Sequence, residues 1–108
     1  MSVSNEDIQY MRDLFSEIPD LTAKKMFGGL SLYSAGIIFA IIGPDERVYV
    51  KASGDLIAQL ESEGSEQWGY ETKQGKITRM PYWTLPDAAL DDPAIASDWG
   101  RKALALLA

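Results

Sequence analysis

Apolar residues first recur at helical spacing: Ile8, Met11, Leu14, Phe15 and Ile18 fall on one stripe with polar residues between them. Ser4, with Asp7 three residues later, forms a capping-box-like start, and Pro19-Asp20 supplies the stop. The spacing predicts a helix that packs by one face on a sheet.

From Lys24 the period shortens. Lys25-Met26-Phe27 leads into Gly28-Gly29, and Leu30-Ser31-Leu32-Tyr33 alternates as a half-buried strand does. Ser34-Ala35-Gly36 reads as a tight hairpin connection. Ile37 to Ile42 is apolar on both faces, which suits a central strand covered by a helix layer on one side and a second subunit on the other. Gly43-Pro44-Asp45-Glu46 is a turn by composition, and Arg47 to Lys51 is the third strand of an antiparallel meander.

Ser53 reads as the N-cap of a second helix carrying Leu56, Ile57 and Leu60, with Gly64 near its C-terminal end. Residues 68–72 and 76–80 flank Gln74-Gly75, a pair that favours positive φ, and predict a second hairpin. Prolines at both ends of Pro81-Tyr82-Trp83-Thr84-Leu85-Pro86 exclude a regular helix and predict an ordered connection that carries aromatics. Asp92-Pro93 starts the last helix, whose inner face is expected at Ile95, Trp99, Ala103 and Leu106. The resulting order is α-βββ-α-ββ-α. It predicts one α+β domain over residues 1–108, in two layers: an antiparallel five-stranded sheet with helices on one face.

Composition narrows the chemistry. Cysteine and histidine are absent, which removes disulfides, thiol nucleophiles, thiolate ligands, imidazole ligands and the usual proton shuttle at neutral pH. A serine nucleophile would need lysine as its base, and no Ser-x-x-Lys spacing occurs. No aspartate cluster has the loop spacing of a hard-cation site. No metal, no cofactor and no catalytic residue are therefore expected. The acidic, polar segment Met1–Asp7 has none of the features of a secretory signal, and the longest apolar run is far short of the ~20 residues that cross a bilayer, so a cytoplasmic protein is expected.

The net charge of −6 opposes a duplex-binding surface, which needs clustered Lys and Arg. The charge is uneven: Glu6, Asp7, Asp13, Glu17 and Asp20 oppose Arg12 at the N-terminus, while Lys24, Lys25, Arg47 and Lys51 outnumber Asp45 and Glu46 over residues 21–51. One modest basic patch on an acidic body suits a protein or a small anion better than a nucleic acid.

Two readings stand beside each candidate. Gly28-Gly29 lacks the preceding strand and following helix of a phosphate loop, and fits a bulge or a close backbone approach. Lys24, Lys25 and Lys51 are either an anion- or carboxylate-binding group or solvated cations that discourage edge pairing. Tyr82-Trp83, with Tyr33, Trp68 and Tyr70 elsewhere, forms either an aromatic contact surface or, for the residues between the prolines, a plug at the end of the core. Asp87, Asp91 and Asp92 resemble a paired-carboxylate site only if capping by Asp92 is ignored.

Taken together, Lys25-Met26-Phe27-Gly28-Gly29-Leu30-Ser31-Leu32-Tyr33, Gly36-Ile37-Ile38-Phe39-Ala40 and Val48-Tyr49-Val50-Lys51 resemble the N-terminal domain of the TfoX/Sxy proteins. Met80 to Pro86, Leu90-Asp91-Asp92-Pro93 and Trp99 to Leu104 are similar to the family's later segments, in the same order. The resemblance implies a secretion-chaperone-like α+β fold that dimerises through its sheet, a kinship with regulators of natural-competence genes, and no established catalytic residues. The second, helical domain of the full regulators has no counterpart in these residues, so a stand-alone domain is expected.

The expected function is a non-enzymatic protein-binding module related to regulators of competence gene expression, homodimeric, with an unidentified protein partner. Its expected partner-binding residues are Lys25, Phe27, Lys51, Tyr82 and Trp83, with Phe27 supporting and the others exposed. The alternatives are direct nucleic-acid binding through Lys24, Lys25, Arg47 and Lys51, and a small-ligand domain or enzyme.

Overall fold

The computed structural model describes residues 5–26 and 28–107. The first apolar stripe forms helix α1 (Asn5–Leu14), and its expected cap, Ser4, lies outside the described residues. The stripe outlasts the helix: Phe15 and Ile18 stay buried in the turns that follow.

Among the described residues six strands follow rather than five: β1 (Leu21–Met26), β2 (Gly29–Ser34), β3 (Ile37–Ile42), β4 (Val48–Lys51), β5 (Gln67–Glu71) and β6 (Ile77–Thr84). The remaining helices are α2 (Asp55–Ser62), between β4 and β5, and α3 (Pro93–Leu107), which a single 3-10 turn at Asp87–Ala89 precedes. The order is thus α-ββββ-α-ββ-α. The additional strand is Leu-Thr-Ala-Lys-Lys-Met, which has neither a β-branched run nor strong alternation. Its strand character comes from its partner, because all six residues pair with β2, from Leu21 opposite Ser34 to Met26 opposite Gly29. Strand propensity yields to such pairing.

All pairs are antiparallel, in the spatial order β1-β2-β3-β4-β6-β5. The crossover through α2 carries the chain past the sheet edge, so β6 returns between β4 and β5. The proline-flanked segment is therefore strand as far as Thr84, not a connection. Pro81 is tolerated there because β4 ends at Lys51. Its carbonyl still accepts the Ala52 N–H at 3.1 Å, and only a bond at the end of the ladder is lost.

The helices cover one face. Phe15 and Phe39 meet edge to face with centroids 5.3 Å apart, and α3 crosses above them. The buried positions of α3 are Ala96, Ser97, Gly100 and Ala103, whereas Ile95 and Leu106, expected inside, are exposed. Small residues let the helix axis come close: a Cβ on Gly100 would lie 3.1 Å from Phe39 and 3.3 Å from both Phe15 and Ile18. Asp92 caps α3 as expected, its Oδ1 accepting the N–H groups of Ala94 (3.1 Å) and Ile95 (3.2 Å). Ser53 does not cap α2, which begins after Gly54 with no side-chain cap. Gly29 is required by close approach, since a Cβ there would lie 2.2 Å from the carbonyl oxygen of Ile42. No helix among the described residues is long and apolar enough to cross a membrane.

Candidate partner-binding face

Strand alternation divides Val48-Tyr49-Val50-Lys51 between two environments. Val48 and Val50 join the core beneath the helices, and Tyr49 and Lys51 point to the other face. The register carries that second face across the sheet: Lys24, Ser31, Ile41, Tyr49 and Thr84 form one row over five strands. Tyr33 lies opposite Ile38, and Lys51 opposite Tyr82.

A register shift between β2 and β3 leaves Phe39 without a partner in the ladder. Because of it, Ile38 and Ile41 both serve the second face while Phe39, Ala40 and Ile42 serve the helix side. This is how the all-apolar run of β3 is accommodated. Its second face is filled by a side-chain layer rather than by a helix: Ile41, Tyr49 and Tyr82 are buried there, with Ile38, Trp68 and Met80 packed around them and half-buried. The Trp68 ring lies 5.9 Å from Tyr49 and 6.4 Å, edge to face, from Tyr82.

Tyr49 donates to Asp45 Oδ2 at 2.6 Å, and Asp45 Oδ1 accepts the N–H of Arg47 at 3.1 Å. Burial, then the bond to Asp45, pushes the Tyr49 hydroxyl well above the usual phenol range. Burial also raises Tyr82, and the nearby Tyr33 adds to the effect.

The expected site residues do not form one surface. Tyr82 and Trp83, expected to be exposed, are 7% and 5% exposed. Trp83 belongs to the helix-side core, where its Nε1 donates to Glu61 Oε2 of α2 at 3.3 Å, and Tyr82 belongs to the opposite face. Lys51 does lie on the second face, beside Tyr82 and half-buried. Lys25 is exposed on the edge strand β1 but has the helix-side register, opposite Leu30. Its neighbour Lys24 has the register of the second face, opposite Ser31. Phe27 lies outside the described residues. Tyr33 and Trp68, grouped with Tyr82 in the sequence as a candidate aromatic surface, do lie on its face, whereas Ile38, Tyr49 and Met80 are not singled out there, although the odd-even pattern of the fourth strand already marks Tyr49 and Lys51 as a pair.

A separate cavity of about 440 Å³ opens at the far end of the sheet, lined by Tyr10, Arg47, Val48, Glu66, Thr84 and Leu85 among others. Arg47 and Glu66 pair across 3.6 Å in exposed positions, where such a pair contributes about 1 kcal/mol or less. Tyr10 donates to the carbonyl of Leu90 at 2.6 Å, and burial together with Asp91 raises its hydroxyl pKa. Among the described residues, no group of three or more carboxylates is placed to hold a metal ion.

Helices on one face of a single antiparallel sheet, with a second apolar layer on the other, define an α+β protein of two layers. The sequence matches the family model of the TfoX N-terminal domain over residues 13–106, and the chain belongs to that family. No curated protein matches it.

Proposed function

We propose that this chain is a protein-binding module of competence-type gene regulation in the cytoplasm, and that the sheet face opposite the helices is its contact surface. One observation carries this reading: the helix-free face keeps Ile38, Trp68 and Met80 half-exposed beside Lys51, itself half-buried and without an ion pair or hydrogen bond among the described residues. Apolar area of this kind gains stabilisation only when something covers it. Membership of the TfoX N-terminal domain family supplies the regulatory context. A second copy of the chain meeting the first through the same face is the alternative occupant, which light scattering distinguishes from another protein.

The test is a crosslinked pull-down from native cytosol with the tagged domain and its Ile38→Glu variant, alongside light scattering of both. A partner, or a dimer, present with the original chain and lost with Ile38→Glu supports the face. Retention of both by the variant overturns it.

The cavity favours a second reading, in which the domain binds a small molecule. Its volume lies within the usual range for ligand sites, and Glu46, Glu63, Glu66 and Asp87 outnumber Arg47 around it, which suits a small amine. A thermal-shift screen of simple diamines, with and without Glu66→Gln, separates this reading from the first.

A further inference from the structure

Charge is partitioned between the two layers. The strands carry Lys24, Lys25, Lys51 and Arg79 against the single carboxylate of Glu71, in a chain whose net charge is −6. The acidic excess therefore lies in the helices and loops. Among the described residues the only charged strand positions with the register of the second face are Lys24 and Lys51, since Arg79 and Glu71 have that of the helix side, Glu71 opposite Ile77. The two carboxylates that act on Tyr49 are engaged: Asp45 accepts from Tyr49, and Glu66 pairs with Arg47. Among the described residues neither Lys24 nor Lys51 has a carboxylate within ion-pair distance.

From these observations we infer that the occupant of this face is an acidic, apolar segment of another protein, bound with carboxylates on Lys24 and Lys51 and with apolar side chains on the strip between them. The inference rests on the proposed protein-binding role and names the chemistry of its partner. Lys51 is the strongest single pointer. Its side chain is half-buried beside Tyr82, and a carboxylate arriving on the apolar layer there gains a charge-assisted hydrogen bond.

The geometry sets the spacing. Lys24 shares its row with Tyr49, three strands away, and Lys51 lies two residues beyond Tyr49. With strands ~4.8 Å apart and ~3.3 Å per residue, their Cα atoms are roughly 16 Å apart. An extended segment covers this in about five residues, with Tyr33, Ile38 and Ile41 beneath it. A second copy packed face to face would bring Lys24 and Lys51 towards like charges, which disfavours it as the occupant. Two lysines at that separation on an acidic protein are also too few to hold a nucleic-acid backbone.

The experiment is selection from a phage-displayed library of twelve-residue peptides, with the full chain as bait. Parallel selections use the Lys24→Glu/Lys51→Glu double variant and the Ile38→Glu variant, each first shown by circular dichroism and a urea melt to be folded. The inference expects peptides with two acidic residues about five apart and apolar residues between. Their affinity should fall about tenfold or more in the charge-reversed bait, fall with added salt, and give way there to lysine-bearing peptides. Neutral or basic peptides that are lost with Ile38→Glu overturn the acidic partner and leave the face standing as a binding surface. Peptides indifferent to Ile38→Glu, or no enrichment at all, overturn both. Tighter binding of a labelled single-stranded DNA 20-mer than of the best peptide overturns the inference in favour of nucleic acid.

Discussion

Tyr82 and Trp83 are consecutive residues of β6 that lie on opposite faces of the sheet, Tyr82 against Trp68 and Trp83 beneath α2. A pair that reads in one dimension as a single aromatic patch therefore does two different jobs. Trp83→Ala should cost about 3–5 kcal/mol of folding stability, in line with other large-to-small core changes, as measured by urea denaturation. Tyr82→Phe keeps the packing and should cost far less in the same experiment.

Lys51 makes the complementary case. Replacing it with methionine removes the unpaired charge of a half-buried side chain while keeping the length of its apolar stem. Lys51→Met should leave stability unchanged or raise it by up to about 1 kcal/mol, while weakening partner binding. A urea melt together with the peptide-binding measurement checks both; a loss of stability with binding retained would assign Lys51 a structural role instead.

Gly29 and Gly100 are both buried, yet they should respond differently to an added methyl group. At Gly29 the obstacle is the backbone carbonyl of Ile42, at 2.2 Å, within a paired strand that has no room to yield. Gly29→Ala should therefore cost several kcal/mol or prevent folding. At Gly100 the obstacles are side chains at 3.1–3.3 Å, all of them in the core. Overpacking costs about 1–3 kcal/mol there and alanine regains about 1 kcal/mol in helix propensity, so Gly100→Ala should cost between about 0 and 2 kcal/mol. Thermal melts of the two variants side by side test the ranking.

Three phenols with raised pKa values predict a loss of stability in alkali. Tyr10, Tyr49 and Tyr82 all hold their protons more tightly in the folded chain than a free phenol does. Their contribution is complete below the unfolded value near pH 10 and is lost as pH rises through the higher folded values, because the unfolded chain ionises first. The urea midpoint should fall above about pH 10. Lysines titrate in the same window, so Tyr49→Phe is the control: its midpoint should fall less steeply than that of the original chain.

Much of this architecture is legible in one dimension wherever a local cause suffices. The stripe from Ile8 to Ile18, the Asp92 cap before Pro93, the turns and the two-faced apolar run of β3 all follow from spacing and turn chemistry, and each is present. The absence of histidine and cysteine likewise follows from composition alone. Tertiary structure decided what depends on a distant partner. β1 is a strand because β2 pairs with all of it, and β6 runs through Pro81 because β4 stops at Lys51. The inner face of α3 is set by the room that Phe15, Phe39 and Ile18 leave, which selects Ala96, Gly100 and Ala103 over the larger Ile95 and Leu106. The candidate face depends most on such pairings. Lys24, Tyr33, Ile38, Lys51, Trp68 and Tyr82 come from six different strands, and only cross-strand register, which no single segment encodes, puts them on one side of the sheet.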